Sequence, residues 1–151
     1  MEAAETKVPS IAAWLGGLGA VPFIGLAGAT PFLAAAPRNL VVHALIGYGA
    51  TILSFLGGAH WGLAISPQNI SDRENLPARL IVSVIPSLVG WSALLVAETT
   101  GLFILAVGVA ALLWVDLRAA RLSQVPSWYP KLRIPLTGAV VAALLLVALA
   151  R

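Results

Sequence analysis

Apolar residues make up 60% of this 151-residue chain and charged residues only 10%, whereas soluble domains average about 45–50% and about 25%, so an ordinary soluble domain is excluded. A net charge of +3 built from few charged side chains gives no reason to expect a nucleic-acid partner. The absence of cysteine excludes disulfides, thiolate catalysis and cysteine-ligated metal sites.

Five apolar runs each approach the roughly 20 residues that an α-helix needs to cross a bilayer. They predict a single all-α membrane domain over residues 1–151, a polytopic bundle of about five transmembrane helices. The predicted spans are 11–36, 40–65, 79–97, 102–120 and 132–150. Pro22 and Pro31 interrupt the first run, which is therefore expected either to kink or to span only in part. Residues 37–39 and 98–101 are interpreted as tight turns.

Basic residues are distributed unequally between the two sides that five spans would create. The N-terminus and the second and fourth loops hold Lys7, Arg73, Arg79, Arg118, Arg121, Lys131 and Arg133. The other side holds only Arg38 and Arg151. Since cytoplasmic loops carry the excess of lysine and arginine, the N-terminus is predicted to be cytoplasmic.

The second run contains the string Ser-Phe-Leu-Gly-Gly-Ala-His-Trp-Gly at residues 54–62. Ser54, Gly58 and Gly62 recur every four residues and predict a helix-packing face of small side chains. His60 lies within the span, where an ionisable group is costly and suggests a functional site. In the functional interpretation, His60 titrates protons or binds a quinone, lipid or haem. In the alternative interpretation, it is a packing histidine that hydrogen-bonds a neighbouring helix. Either role requires the ring to face the bundle.

Further polar residues are predicted at the same, cytoplasmic end as His60. Asp116 is interpreted either as a partner of His60 or of an arginine, or as an interfacial counter-ion to Arg118 or Arg121. The aromatic pair Trp128 and Tyr129 is typical of an interfacial anchor, with a docking surface for a headgroup or partner as the alternative. The candidate ligand- or partner-binding residues are His60, Asp116, Arg79, Thr137, Trp128, Tyr129 and Arg133.

Several chemistries lack the residues that they need. His43 and His60 are about 25 Å apart along one helix, given a rise of 1.5 Å per residue, so one chain cannot clamp a haem between them. A zinc site lacks ligands, and neither a phosphate-binding loop nor a nucleophile elbow is present. We therefore expect no metal, no cofactor and no catalytic residues.

Three stretches of the chain resemble a known family. They are the string at 52–62, Pro86-Ser87 with Trp91 and residues 93–95, and Trp128-Tyr129 with residues 132–133 and 136–137. Together they resemble the transmembrane protein 69-like proteins, which are small polytopic proteins of bacterial inner membranes with relatives assigned to mitochondria. The resemblance implies a multi-pass protein of the bacterial inner membrane and supplies no activity to carry over.

Two functions remain open from the sequence, besides a membrane enzyme that would have to rely on His60 and Asp116 as its catalytic pair. The first is an accessory, assembly or helix-packing subunit of a membrane complex, with a respiratory complex suggested by the bacterial and mitochondrial spread. Its partners would be the lipid bilayer, other membrane subunits or a second copy of the chain. The alternative is a small transporter or a lipid- or quinone-binding protein that uses the cluster around His60 and Asp116.

Overall fold

A computed structural model of the protein describes residues 7–66 and 75–151. In these residues the regular structure consists of helices: α1 (Ser10–Ala29), a 3-10 helix (Thr30–Phe32), α2 (Ala35–Ala64), α3 (Leu76–Ala93), α4 (Glu98–Arg121) and α5 (Tyr129–Leu149). Within the described part of the chain, five helices are long and apolar enough to cross a membrane. The prediction of an all-α bundle with about five spans is confirmed, whereas the cytoplasmic N-terminus stays a prediction.

Two stretches predicted as turns instead begin helices, and prolines occur in the first turns of three helices. Residues 37–39, predicted as a turn, lie in the first turns of α2, and the turn predicted at 98–101 is instead the beginning of α4. Pro77 and Pro130 occupy the first turns of α3 and α5. A proline is tolerated there because the first backbone N–H groups of a helix have no partner within it.

The first apolar run is one continuous helix as far as Ala29, although Pro22 lies inside it. The run then tightens into the 3-10 helix that contains Pro31, and the chain becomes extended at Leu33. The phenolic hydroxyl of Tyr48 donates to the carbonyl oxygen of Gly19, at 3.0 Å, and ties α1 to α2. The α-helix is therefore uninterrupted at Pro22, and the predicted span 11–36 ends near Phe32 in the structure, because residues 35–36 already belong to α2.

The core lies between α1, α2, α4 and α5, which supply its large side chains. Those that are fully buried include Phe23, Leu45, Leu53, Leu102, Leu105 and Leu144. Many other large apolar side chains face outward, among them Phe32, Phe55, Trp91 and Trp114. Outward apolar side chains are expected in a membrane, where lipid replaces water around the bundle.

Helix α3 approaches α2 closely through small residues, and this is the most extensive packing between two helices. A Cβ atom added at Gly57 would lie 2.6 Å from the backbone oxygen of Ser83, and one at Gly90 would lie 3.0 Å from that of Ala50. Such short distances show that the two backbones meet where glycine leaves room.

The small-residue face predicted from Ser54, Gly58 and Gly62 does not make this contact. Gly58 and Gly62 are exposed, and a Cβ at either would meet nothing within 4 Å. The Ser54 hydroxyl donates to the carbonyl of Ala50 in its own helix, at 2.8 Å. Within the chain it is the neighbouring residue Gly57 that faces α3. Packing of this face against another chain stays a prediction.

Ion pairs join helix ends at one end of the bundle. Glu98, which begins α4, pairs with Nδ1 of His43 at 2.8 Å and with the guanidinium of Arg151. Arg151 also donates to the side-chain oxygen of Asn39, at 3.1 Å. The start of α2, the start of α4 and the residues after α5 therefore meet at this end. The other end, which we call the basic end, carries Arg79, Arg118, Arg121, Lys131 and Arg133.

Candidate functional site

A buried carboxylate lies at the centre of the basic end. Asp116 is 1% exposed and accepts hydrogen bonds from Nε2 of His60 at 2.8 Å and from Nε of Arg133 at 2.7 Å. The hydroxyl of Tyr129 adds a longer bond of 3.3 Å. We call these four residues the Asp116 network. Three helices meet in it, because His60 belongs to α2, Asp116 to α4 and the other two to α5.

Local helix geometry places each donor of the network. Tyr129 and Arg133 are four residues apart on α5, and side chains at this spacing lie on the same face. His60 and Asp116 each lie within the last two turns of their helices. The predicted inward orientation of His60 is confirmed, since its side chain is 11% exposed and contacts Asp116.

The network contains one ion pair, in which the positive charge of Arg133 balances the negative charge of Asp116. Arg133 is 7% exposed, and its guanidinium remains charged in proteins. Bringing either charge alone into the bundle would be costly, so the two groups depend on each other. A carboxylate oxygen only accepts hydrogen bonds, which means that Nε2 of His60 carries a proton and donates a hydrogen bond to Asp116. Nδ1 is then the ring nitrogen that does not contact the carboxylate.

Two further polar atoms of α5 are buried beside this network. Nη2 of Arg133 and Oγ1 of Thr137 have no hydrogen-bond partner among the described residues. Arg133 and Thr137 are one turn apart, so they lie on the same face of the helix. The structure thus places the predicted residue Thr137 next to the network, although it makes no bond to Asp116.

An open groove of about 550 Å³ lies beside the network at the basic end. Ligand sites in proteins typically measure about 300–1,000 Å³. The groove is bounded by the C-terminal turns of α2 and α4, the N-terminal turns of α3 and the residues after α4. Its lining is His60, Leu63, Ala64, Asn75, Ala78, Arg79, Val82, Trp114, Val115, Arg118, Ala119, Leu122 and Gln124. His60 therefore belongs to both the network and the groove wall.

The candidate residues chosen from sequence divide into three groups. His60, Asp116, Tyr129 and Arg133 come together in the network, with Thr137 one turn away. Arg79 instead lines the groove with His60. The ring of Trp128 packs edge-on against Tyr129, with centroids 6.0 Å apart, outside the network. What these residues bind stays a prediction.

The interpretation of Asp116 as a counter-ion to Arg118 is wrong. Because it assigned Arg118 to Asp116, Arg118 was not considered as a binding residue. Arg118 does not pair with Asp116 but lies over the ring of Trp114, with its guanidinium carbon 5.7 Å from the centroid. Sequence reasoning did not select Trp114, Arg118 or Gln124 as groove residues. The spacing of four between Trp114 and Arg118 was a usable signal, because such residues are neighbours on a helix surface.

Comparison with known proteins shows where the chain belongs. Residues 8–149 match the family DUF3429, described as proteins of unknown function. The chain is 40% identical over 140 residues to transmembrane protein 69 of Xenopus tropicalis, an alignment covering 81% of this chain and 51% of that protein. It is 30% identical over 122 residues to transmembrane protein 69 of Mus musculus, covering 74% and 48%.

The chain thus spans about half the length of these curated relatives. No solved structure shows significant similarity to it. The resemblance to transmembrane protein 69-like proteins noted from the sequence is confirmed, and a multi-pass membrane protein is what these relatives and the five apolar helices support.

Proposed function

The chain belongs to the DUF3429 family, and from that membership and the geometry of the basic end we propose that it is a non-enzymatic membrane protein that binds a lipid-soluble amphiphile. The observation that carries the proposal is the groove, which combines an apolar wall with His60 and two arginines at the level where helices end. An amphiphile from the adjacent leaflet would place its polar end against His60 and its tail along Trp114.

Binding is favoured over catalysis by the residues available. Both carboxylate oxygens of Asp116 are occupied, one by Arg133 and the other by His60 and Tyr129. The described lining of the groove includes no serine, threonine, cysteine, lysine or carboxylate. A His60 that Asp116 holds in place would therefore have no side-chain nucleophile to activate, and we assign it the role of contacting the ligand.

We place the basic end on the cytoplasmic side of a bacterial inner membrane. The bias of seven basic residues against two supports this orientation. Negatively charged lipids of the cytoplasmic leaflet attract such basic segments, which would bring amphiphiles to the mouth of the groove.

Filling the groove should abolish retention of the amphiphile. Ala78 is exposed and lines the groove, so the indole ring of Ala78→Trp would occupy the ligand volume without entering the core. Wild type purified in mild detergent should retain a lipid that mass spectrometry detects, and A78W should lose it. Ala13→Trp is the matched control, because Ala13 is exposed on α1 away from the groove. Equal retention by A78W and wild type, with both folded, would argue against a ligand in this groove.

In a second candidate function, the chain acts as a subunit of a larger assembly. That assembly would be a membrane complex, respiratory or otherwise, or a homo-oligomer. It is supported by the outward face of α2, where a Cβ at Gly47, Gly58 or Gly62 would meet nothing within 4 Å. A face of this kind lets a helix of another chain come close. Crosslinking and pull-down in mild detergent should then recover a partner that Gly58→Leu/Gly62→Leu loses. Recovery of the lone protomer, under conditions that preserve known complexes, would remove this candidate.

A further inference from the structure

The groove carries a charge pattern that selects among amphiphiles. Guanidinium groups from two helices, Arg79 of α3 and Arg118 of α4, line it, and none of its described lining residues is acidic. The nearest buried carboxylate, Asp116, is held by Arg133 inside the network. Planar guanidinium groups match the oxygens of a phosphate and bind them in pairs. The described wall of the groove therefore favours a phosphate-bearing headgroup over a neutral one.

Both arginines can serve a ligand without giving up their present contacts. Arg118 lies over the ring of Trp114, with its guanidinium carbon 5.7 Å from the centroid, and a cation–π contact of this kind needs none of its N–H groups as hydrogen-bond donors. Arg79 already has an interaction within the protein. Each guanidinium carries five N–H donors, so it can bind a phosphate oxygen in addition to a partner within the protein.

The helix ends around the groove add to this preference. The first turn of α3 contains no acidic residue. The partial positive charge at the N-terminus of a helix favours an anion. The end of α4 contributes partial charge of the opposite sign, but Arg118, the groove residue in its last turn, offsets it.

His60 adds a hydrogen bond that suits a phosphate monoester. Its Nε2 donates to Asp116, so Nδ1 is the nitrogen that remains for a ligand. In the neutral ring Nδ1 accepts a hydrogen bond from a P–OH group, and in the protonated ring it donates to a P–O oxygen. A monoester provides both kinds of oxygen, whereas a phosphodiester such as that of phosphatidylcholine has no P–OH group.

The apolar part of the groove wall indicates that the phosphate belongs to a lipid and not to a soluble molecule. Trp114 is 62% exposed and Val82 is 36% exposed, and both line the groove beside the arginines. In a membrane such exposure means contact with acyl chains, so the groove opens toward lipid. We propose that it binds the phosphate monoester headgroup of an anionic lipid, with Arg79, Arg118 and His60 contacting the phosphate. This inference rests on the proposed function.

The test measures binding of fluorescent phosphatidic acid to the purified full chain by anisotropy, with diacylglycerol carrying the same fluorophore as the neutral comparison. Phosphatidic acid should bind about tenfold or more tightly, since one charged hydrogen bond corresponds to roughly that factor. Arg79→Gln and Arg118→Gln should each weaken its binding by about tenfold. Arg121→Gln, which removes the same charge from an exposed position outside the groove, should leave the affinity unchanged. Thermal unfolding of each variant establishes that it is folded.

The outcomes separate this inference from the proposed function. If phosphatidic acid and diacylglycerol bind equally and A78W blocks both, the inference of phosphate recognition is wrong, whereas the proposed lipid site in the groove is supported. An equal loss in R118Q and R121Q would also overturn it, because general surface charge would then explain the binding. If equimolar glycerol 3-phosphate displaces phosphatidic acid, the inference that the phosphate belongs to a lipid is wrong, and the site binds a soluble phosphate instead. If neither lipid binds wild type, the proposed function fails as well.

Discussion

Asp116→Leu should destabilise the bundle by about 3–5 kcal/mol, which is the usual cost of removing one partner from a buried ion pair. Asp116 is 1% exposed, and its carboxylate is the only partner that the described residues give to the buried Nε of Arg133. Without it, a guanidinium stays in the bundle with no opposite charge, and His60 and Tyr129 lose their acceptor. Unfolding in detergent micelles, followed by circular dichroism, measures the effect.

The double variant Asp116→Leu/Arg133→Leu should recover most of this loss. Removing both charges eliminates the uncompensated cation, and apolar replacements of buried ion pairs are often neutral or stabilising. Recovery should be incomplete because His60 and Tyr129 still lack an acceptor. Arg121→Gln serves as the control, since Arg121 is exposed. If the single and double variants lose the same stability, Asp116 does not act by compensating Arg133.

Gly57→Ala should destabilise the protein by about 1–3 kcal/mol, the typical cost of overpacking a well-packed contact. The new methyl group would lie 2.6 Å from the Ser83 oxygen and 3.2 Å from Cβ of Pro86. The Ser83 oxygen belongs to the α3 backbone and the Pro86 atom to a rigid ring, so neither can rotate away. Helices α2 and α3 would have to separate, and the same micelle unfolding assay would detect the loss.

The adjacent glycine provides a matched control for this prediction. Gly58→Ala would add the same methyl group where nothing lies within 4 Å. Replacing a glycine inside a helix by alanine gains about 0.5–1 kcal/mol in the absence of a clash, so Gly58→Ala should be neutral or slightly stabilising. A reversed order, with Gly58→Ala the more destabilising, would show that the face first predicted from the sequence makes the contact.

These two glycines also show where prediction from the sequence stops. The spacing of Ser54, Gly58 and Gly62 correctly identifies a face of small residues, but every side of this helix is apolar or small. In lipid, hydrophobicity does not distinguish the side that meets another helix from the side that meets acyl chains. Gly57 could not be preferred to Gly58 without knowing where α3 lies.

The polar residues were easier to place because their burial has a physical cost. The cost of a polar ring in lipid predicted that His60 faces the bundle, and its contact with Asp116 confirms this orientation. The arginine that pairs with Asp116 was not predictable to the same degree. Arg118 is nearby in sequence, but Arg133 is the arginine that contacts Asp116, because α5 packs beside α4. That choice depends on helix order, which hydropathy does not encode.

The most direct test of the lipid-binding groove is a cryo-electron microscopy map of the protein in nanodiscs formed from native membrane. We predict density for a phosphate headgroup in contact with Arg79, Arg118 and His60, continuing as an acyl chain along Trp114. The proposal would be contradicted by a map that resolves annular lipids around the bundle while the groove is empty or is filled by residues 67–74 of the chain itself.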